Sequence, residues 1–106
     1  GIINNKSLEN IDGLRNVSSI RDLVNISGNA LLANLSGLSR LTTTGWLQIN
    51  GNHAISSLSA LASLTQIDGP LDIRDNDSLT SLKGLSSLAS VSTLRIHDND
   101  ALIDLL

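Results

Sequence analysis

In residues 69–91, GPLDIRDNDSLTSLKGLSSLASV, Leu71 and Ile73 flank Asp72 in strand-like alternation. An asparagine follows at Asn76, and Leu79, Leu82, Leu85 and Leu88 then recur at every third residue. The same order returns in residues 47–69, LQINGNHAISSLSALASLTQIDG. Working outward from Asn76, the equivalent asparagines are Asn5, Asn29, Asn52 and Asn99, and successive members of the set lie 24, 23, 24 and 23 residues apart. A fixed repeat of this length predicts a solenoid in which each coil of chain stacks on the next.

The columns of the repeat are aliphatic. Three residues before each asparagine lie Ile2, Ile26, Ile49, Ile73 and Ile96, and five before lie Val24, Leu47, Leu71 and Leu94. After the asparagine the run reads x-x-L-x-x-L-x-x-L-x-x-L-x-x-I, broken only where Thr44 replaces the last aliphatic. The L-x-I step has period two and predicts a short strand with both aliphatics inward. Stacking such strands predicts a parallel sheet with a spacing of about 4.8 Å. The asparagine amide has donors and an acceptor, so a ladder of them can satisfy backbone groups at a buried corner. Leucines at spacing three suit turns, short 3-10 pieces or one helical turn better than a long helix. Gly13, Gly37 and Gly84, with Ala60 in the same column, predict a tight bend or a close approach between coils.

On these stretches, and on an N-x-x-L corner where most leucine-rich repeats read N-x-L, the chain resembles the receptor L-domain type of leucine-rich repeat. The resemblance covers essentially the whole chain. It implies a right-handed, parallel β-helix-like solenoid and a binding role, usually extracellular. Two features depart from receptor ectodomains: there are no cysteines, and neither end has a recognisable cap. The bacterial or fungal cell-surface kind is therefore the closer expectation. The repeats run over 1–22, 23–45, 46–69 and 70–92, with a partial one over 93–106, as one domain expected to belong to a longer protein.

Composition restricts the function classes. The net charge is −3 and Trp46 is the only aromatic residue, so no basic stripe with stacking aromatics exists for nucleic acid. No apolar run is long enough to insert in a membrane. Between Leu23 and Ile67 the one charged residue is Arg40, whereas seven of the ten acidic residues follow Ile67. Catalytic signatures such as G-x-S-x-G, a P-loop or H-E-x-x-H are missing, and His53 and His97 occupy different columns. A non-enzyme is expected. Uncapped end coils would expose apolar edges and offer a route to self-association.

Three groups of residues are candidates for function. The first is the outward sheet face, where Asn25, Gln48, Asp72 and Arg95 form one column and Ser27, Asn50, Arg74 and His97 the next. It is expected to be an open surface for a protein or glycan ligand, or else a solvated face whose charges pair across coils. The second is the acidic corner: RDND (74–77) and HDND (97–100) predict Asp75 over Asp98 and Asp77 over Asp100. Calcium would relieve that repulsion, although Asp is also a good turn former; otherwise no cofactor is expected. The third is a Leu23–Trp46–Pro70 stripe, outward by strand alternation and suited to a contact spot unless a neighbouring turn covers it. Sequons occur at Asn5, Asn16, Asn25, Asn34 and Asn76, of which Asn5 and Asn76 are ladder positions where a glycan would block the fold. The expected function is recognition or adhesion at a cell surface, with a structural spacer or a calcium-stabilised module as alternatives.

Overall fold

The computed structural model describes residues 2, 3, 5 and 7–103. Leu105 and both chain ends therefore lie outside the described residues, as does the side chain of Ile2. Six strands form where the L-x-I alternation occurs: β1 (Ile2–Ile3), β2 (Ser19–Ser27), β3 (Thr43–Asn50), β4 (Gln66–Ile67), β5 (Pro70–Arg74) and β6 (Thr93–His97). They make one parallel sheet in the order β1-β2-β3-β5-β6. β4 lies beside the first part of β3, and β5 beside its second part. Each strand pairs with the one a repeat later, so Ile2, Ile26, Ile49, Ile73 and Ile96 are successive register partners. Period-two alternation keeps Ile26, Ile49, Ile73 and Ile96 on one side of the sheet.

The uneven repeat length has a local cause. Ile20 pairs with Thr44 and Leu23 with Trp46, so Arg21 and Asp22 stand opposite Gly45 alone. This is a β-bulge. Gly45 is required there, because a Cβ would run into the Arg21 carbonyl oxygen. In the next pairing the surplus passes to the other strand: Thr44 pairs with Ile67, but Leu47 with Leu71. The Gly69 N–H donates to the Gly45 carbonyl across that step. Both strand columns on either side of the bulge keep their facing.

Past the asparagine, the leucines at spacing three are joined by turns. Leu32 N–H donates to Asn29 O, Leu38 N–H to Leu35 O and Leu41 N–H to Leu38 O, and the following repeats copy the scheme. Helical structure among the described residues consists of four 3-10 helices: η1 (Asp12–Leu14), η2 (Ser36–Leu38), η3 (Ser59–Leu61) and η4 (Lys83–Leu85). The first N–H of each is taken by a side chain two residues earlier: Asn10 (3.1 Å), Asn34 (3.0 Å), Ser57 (3.1 Å) and Ser81 (3.1 Å). A side-chain oxygen here satisfies an N–H that has no partner within the helix. The glycine column is a close approach, as expected from the sequence. A Cβ on Gly37 would meet the Ile11 carbonyl and one on Gly84 the Leu58 carbonyl, whereas Gly13 has open space.

The aliphatic columns form one core, fully buried from Ile26 through Ile73. Each such Leu or Ile contributes roughly 1.5–3 kcal/mol relative to an exposed side chain. Thr44, the break in the last column, is buried as well, and its hydroxyl donates to Asp22 O at 3.4 Å. At the β6 end the core opens into an apolar hollow lined by Leu82, Leu85, Leu88, Val91, Leu94 and Ile96. Leu94 belongs to the inward column by sequence yet is 56% exposed. Among the described residues no strand flanks the outer edge of β6.

The asparagines do form a ladder. The backbone N–H of each donates to the Oδ1 of the next: Asn5 to Asn29 (3.2 Å), Asn29 to Asn52 (3.1 Å), Asn52 to Asn76 (3.1 Å) and Asn76 to Asn99 (3.1 Å). The Nδ2 groups reach back the other way, from Asn52 to Ile26 O (2.8 Å), Asn76 to Ile49 O (2.8 Å) and Asn99 to Ile73 O (3.0 Å). Each asparagine therefore ties its own repeat to the one before through its side-chain amide and to the one after through its backbone N–H. Its cost of burial is offset because donor and acceptor are both engaged.

Candidate functional site

Opposite the core, strand alternation sends Leu23, Asn25 and Ser27 outward from β2, and Trp46, Gln48 and Asn50 from β3. β5 presents Pro70, Asp72 and Arg74, and β6 presents Thr93, Arg95 and His97. The register is continuous across this face: Asn25 faces Gln48, Gln48 faces Asp72, and Asp72 faces Arg95. The neighbouring column runs Ser27, Asn50, Arg74, His97. The two columns expected from the sequence are thus brought together side by side.

The face is not uniformly open, which corrects the expectation of a solvated surface. Arg95 and His97 are exposed at the β6 edge, but Asn25, Ser27, Gln48, Asn50 and Arg74 are half-buried, and Asp72 is only 3% exposed. Asp72 is a short side chain flanked in register by the longer Gln48 and Arg95, with Arg74 two residues along its own strand. Its charge is met along the strand and not across it: Arg74 Nη2 lies 3.4 Å from Asp72 Oδ2. No ion pair joins Arg95 to Asp72 among the described residues. Three enclosed polar atoms on this face have no hydrogen-bond partner: Trp46 Nε1, Asn50 Oδ1 and Asp72 Oδ1. Enclosed polar atoms are nearly always paired in proteins, and leaving one unpaired costs on the order of 1–3 kcal/mol.

The apolar stripe is present in part. Leu23 and Trp46 are register partners, and Leu23 is 42% exposed. Trp46 and Pro70 are half-buried, and the indole N–H is enclosed. Trp46 therefore offers part of its ring, and only Leu23 projects freely.

At the acidic corner the backbone sets the residue type. Asp75 (φ 55°) and Asp98 (φ 57°) are left-handed, as are Gly28 (φ 68°) and Gly51 (φ 65°) at the equivalent places. Glycine enters that region freely, and aspartate is among the few other residues that visit it. The column Gly28, Gly51, Asp75, Asp98, each just before a ladder asparagine, carried this signal in the sequence and was missed there. Two of the carboxylates are engaged by histidines. Asp77 Oδ2 lies 2.9 Å from His53 Nδ1, and Asp98 Oδ2 lies 2.9 Å from His97 Nδ1. The two histidines, in different columns, serve different aspartates. Arg74, the first residue of RDND, is engaged by Asp72 and not by this corner. Among the described residues no three His, Cys, Asp or Glu side chains converge as metal ligands, Asp75, Asp77, Asp98 and Asp100 included.

Of the sequons, Asn16 and Asn34 are exposed, Asn25 is half-buried on the outward face, and Asn76 is buried in the ladder. Asn5 is exposed, but its Nδ2 donates to Asn29 Oδ1 at 3.1 Å. No helix among the described residues is long and apolar enough to cross a membrane. No family model, curated protein or solved structure matches the chain.

Proposed function

We propose that this chain is a leucine-rich-repeat solenoid of the receptor L-domain kind, acting as a non-enzymatic recognition or adhesion module at a cell surface. The observation that carries this reading is the division of labour in the sheet. One side is aliphatic core apart from the buried Thr44, and every repeat contributes its variable residues to the other side, in register. A surface assembled in that way is adjustable residue by residue without touching the fold. The half-buried amides, the partly exposed Trp46 and the exposed Arg95 and His97 supply contact chemistry for a protein or glycan. A structural spacer with no ligand of its own is the competing reading.

Removing the exposed charges of the β6 edge, while sparing the Arg74 that meets the buried Asp72, separates the two. Wild-type protein and an Arg95→Ser/His97→Ser variant would be compared on a glycan array and on a panel of extracellular-matrix proteins. A recognition module gives at least one signal that the variant loses while its Tm stays within about 2 °C of the parent. Identical silence from both proteins would leave the spacer.

A further inference from the structure

We infer that the centre of the outward face, formed by Trp46, Asn50 and Asp72 around Gln48, is a carbohydrate site that takes a neutral oligosaccharide. This rests on the recognition reading above and names the ligand for it. Trp46, Gln48 and Asn50 share one side of β3, and Asp72 is the register partner of Gln48. Standard strand dimensions put Trp46 and Asn50 about 13 Å apart, with Asp72 about 5 Å to the side of their midpoint. The partnerless atoms in this patch are one donor, Trp46 Nε1, and two acceptors, Asn50 Oδ1 and Asp72 Oδ1.

The pattern selects the ligand class. A sugar ring carries several hydroxyls, and each can both donate and accept. One kind of group thus supplies both missing donors and the missing acceptor, while the ring C–H faces can lie on the indole. A peptide fits less well. The main-chain groups of β3 and β5 are taken by flanking strands, so strand addition is closed to it here. Protein contacts are dominated by aromatic and apolar anchors in pockets, and this face offers one half-buried indole beside a single projecting Leu23. Charge at the centre points the same way, since Arg74 balances Asp72 there and Arg95, unpaired among the described residues, stands at the exposed β6 edge.

Access runs through Arg74. Its contact with Asp72 Oδ2, at 3.4 Å, is longer than a normal hydrogen bond, and its side chain is 39% exposed. Rotation of that side chain, together with turns of the half-buried Trp46 and Asn50 that bring out their enclosed atoms, is the fast surface motion that opens the site.

Trp46 is the only aromatic residue of the chain, so its emission reports this site alone. The probes are cellohexaose, laminarihexaose, mannohexaose and chitohexaose, titrated against the whole chain. At least one should shift the emission saturably with a Kd of about 1 mM or lower. That affinity should fall about tenfold or more in Asn50→Ala and in Asp72→Ala. Asn50→Asp, which keeps an acceptor oxygen, should retain it; this pair decides the matter should Asp72→Ala fail to fold. No saturable response to any of the four up to about 10 mM, or binding indifferent to Asn50→Ala, overturns the carbohydrate site. Loss of a protein-panel signal in Arg95→Ser/His97→Ser, without sugar binding, would overturn this site and leave the recognition face standing. Silence in both assays would remove both.

Discussion

The corner ahead of the ladder asparagine is built twice with glycine, at Gly28 and Gly51, and twice with aspartate, at Asp75 and Asp98. The backbone is the same in all four, with φ between 55° and 68°. The two glycine corners each send a cross-strand bond to the next repeat, Gly28 N–H to Asn50 O at 2.9 Å and Gly51 N–H to Arg74 O at 3.0 Å. What differs is the surface. The glycine repeats hold a single formal charge between Leu23 and Ile67, whereas the aspartate repeats gather most of the acidic residues and pair Asp98 with His97. The left-handed turn is a demand of the fold, and its occupant is a free choice among the few residues that tolerate it. Architecture and surface chemistry are therefore separable within one repeat.

Three measurements by urea denaturation would break or sharpen that separation. The largest effect belongs to the ladder, which both halves share. Asn76→Ala removes the acceptor for the Asn52 N–H and the donor to Ile49 O, both buried, and should cost about 3–5 kcal/mol. A loss below about 1 kcal/mol would mean that the corner does not depend on the amide. Next comes the glycine column. Gly84→Ala drives a Cβ into the Leu58 carbonyl and should cost about 2–3 kcal/mol, whereas Gly13→Ala, with nothing near it, should be neutral or stabilise by about 0.5 kcal/mol. Smallest is the corner itself. Gly51→Ala should cost about 1–2 kcal/mol and Asp75→Gly should change stability by less than about 0.5 kcal/mol. Equal costs for both would show that aspartate is held there by its contacts and not by the backbone.

Most of the architecture was legible because it is periodic. Columns of Leu and Ile repeat at spacings that only a stacked parallel sheet satisfies, and spacing three marked the turns and 3-10 pieces around Leu35–Leu41 and its equivalents. Small residues at 37 and 84 marked the carbonyl contacts for the same reason. The outward face was harder to read. Whether Asp72 is wet depends on the reach of Gln48 and Arg95, each about one repeat away, and on which neighbour Arg74 turns toward. Side-chain direction of that kind has no period. The capping column of Asn10, Asn34, Ser57 and Ser81 and the left-handed column were both written plainly, but among so many serines and asparagines the hydrogen bonds were needed to single them out.

The bulge at Gly45 has a consequence for how such a chain can change length. Since one residue more or fewer there leaves the paired columns on both sides facing as before, that corner works as an expansion joint. A single insertion between Thr44 and Leu47 meets a site that already exists in two lengths. The same insertion between Leu47 and Asn52 would turn half a strand inside out, exposing Leu47 or burying Gln48. Heritable drift in repeat length can therefore enter this protein at that seam and is barred from the strand that follows it.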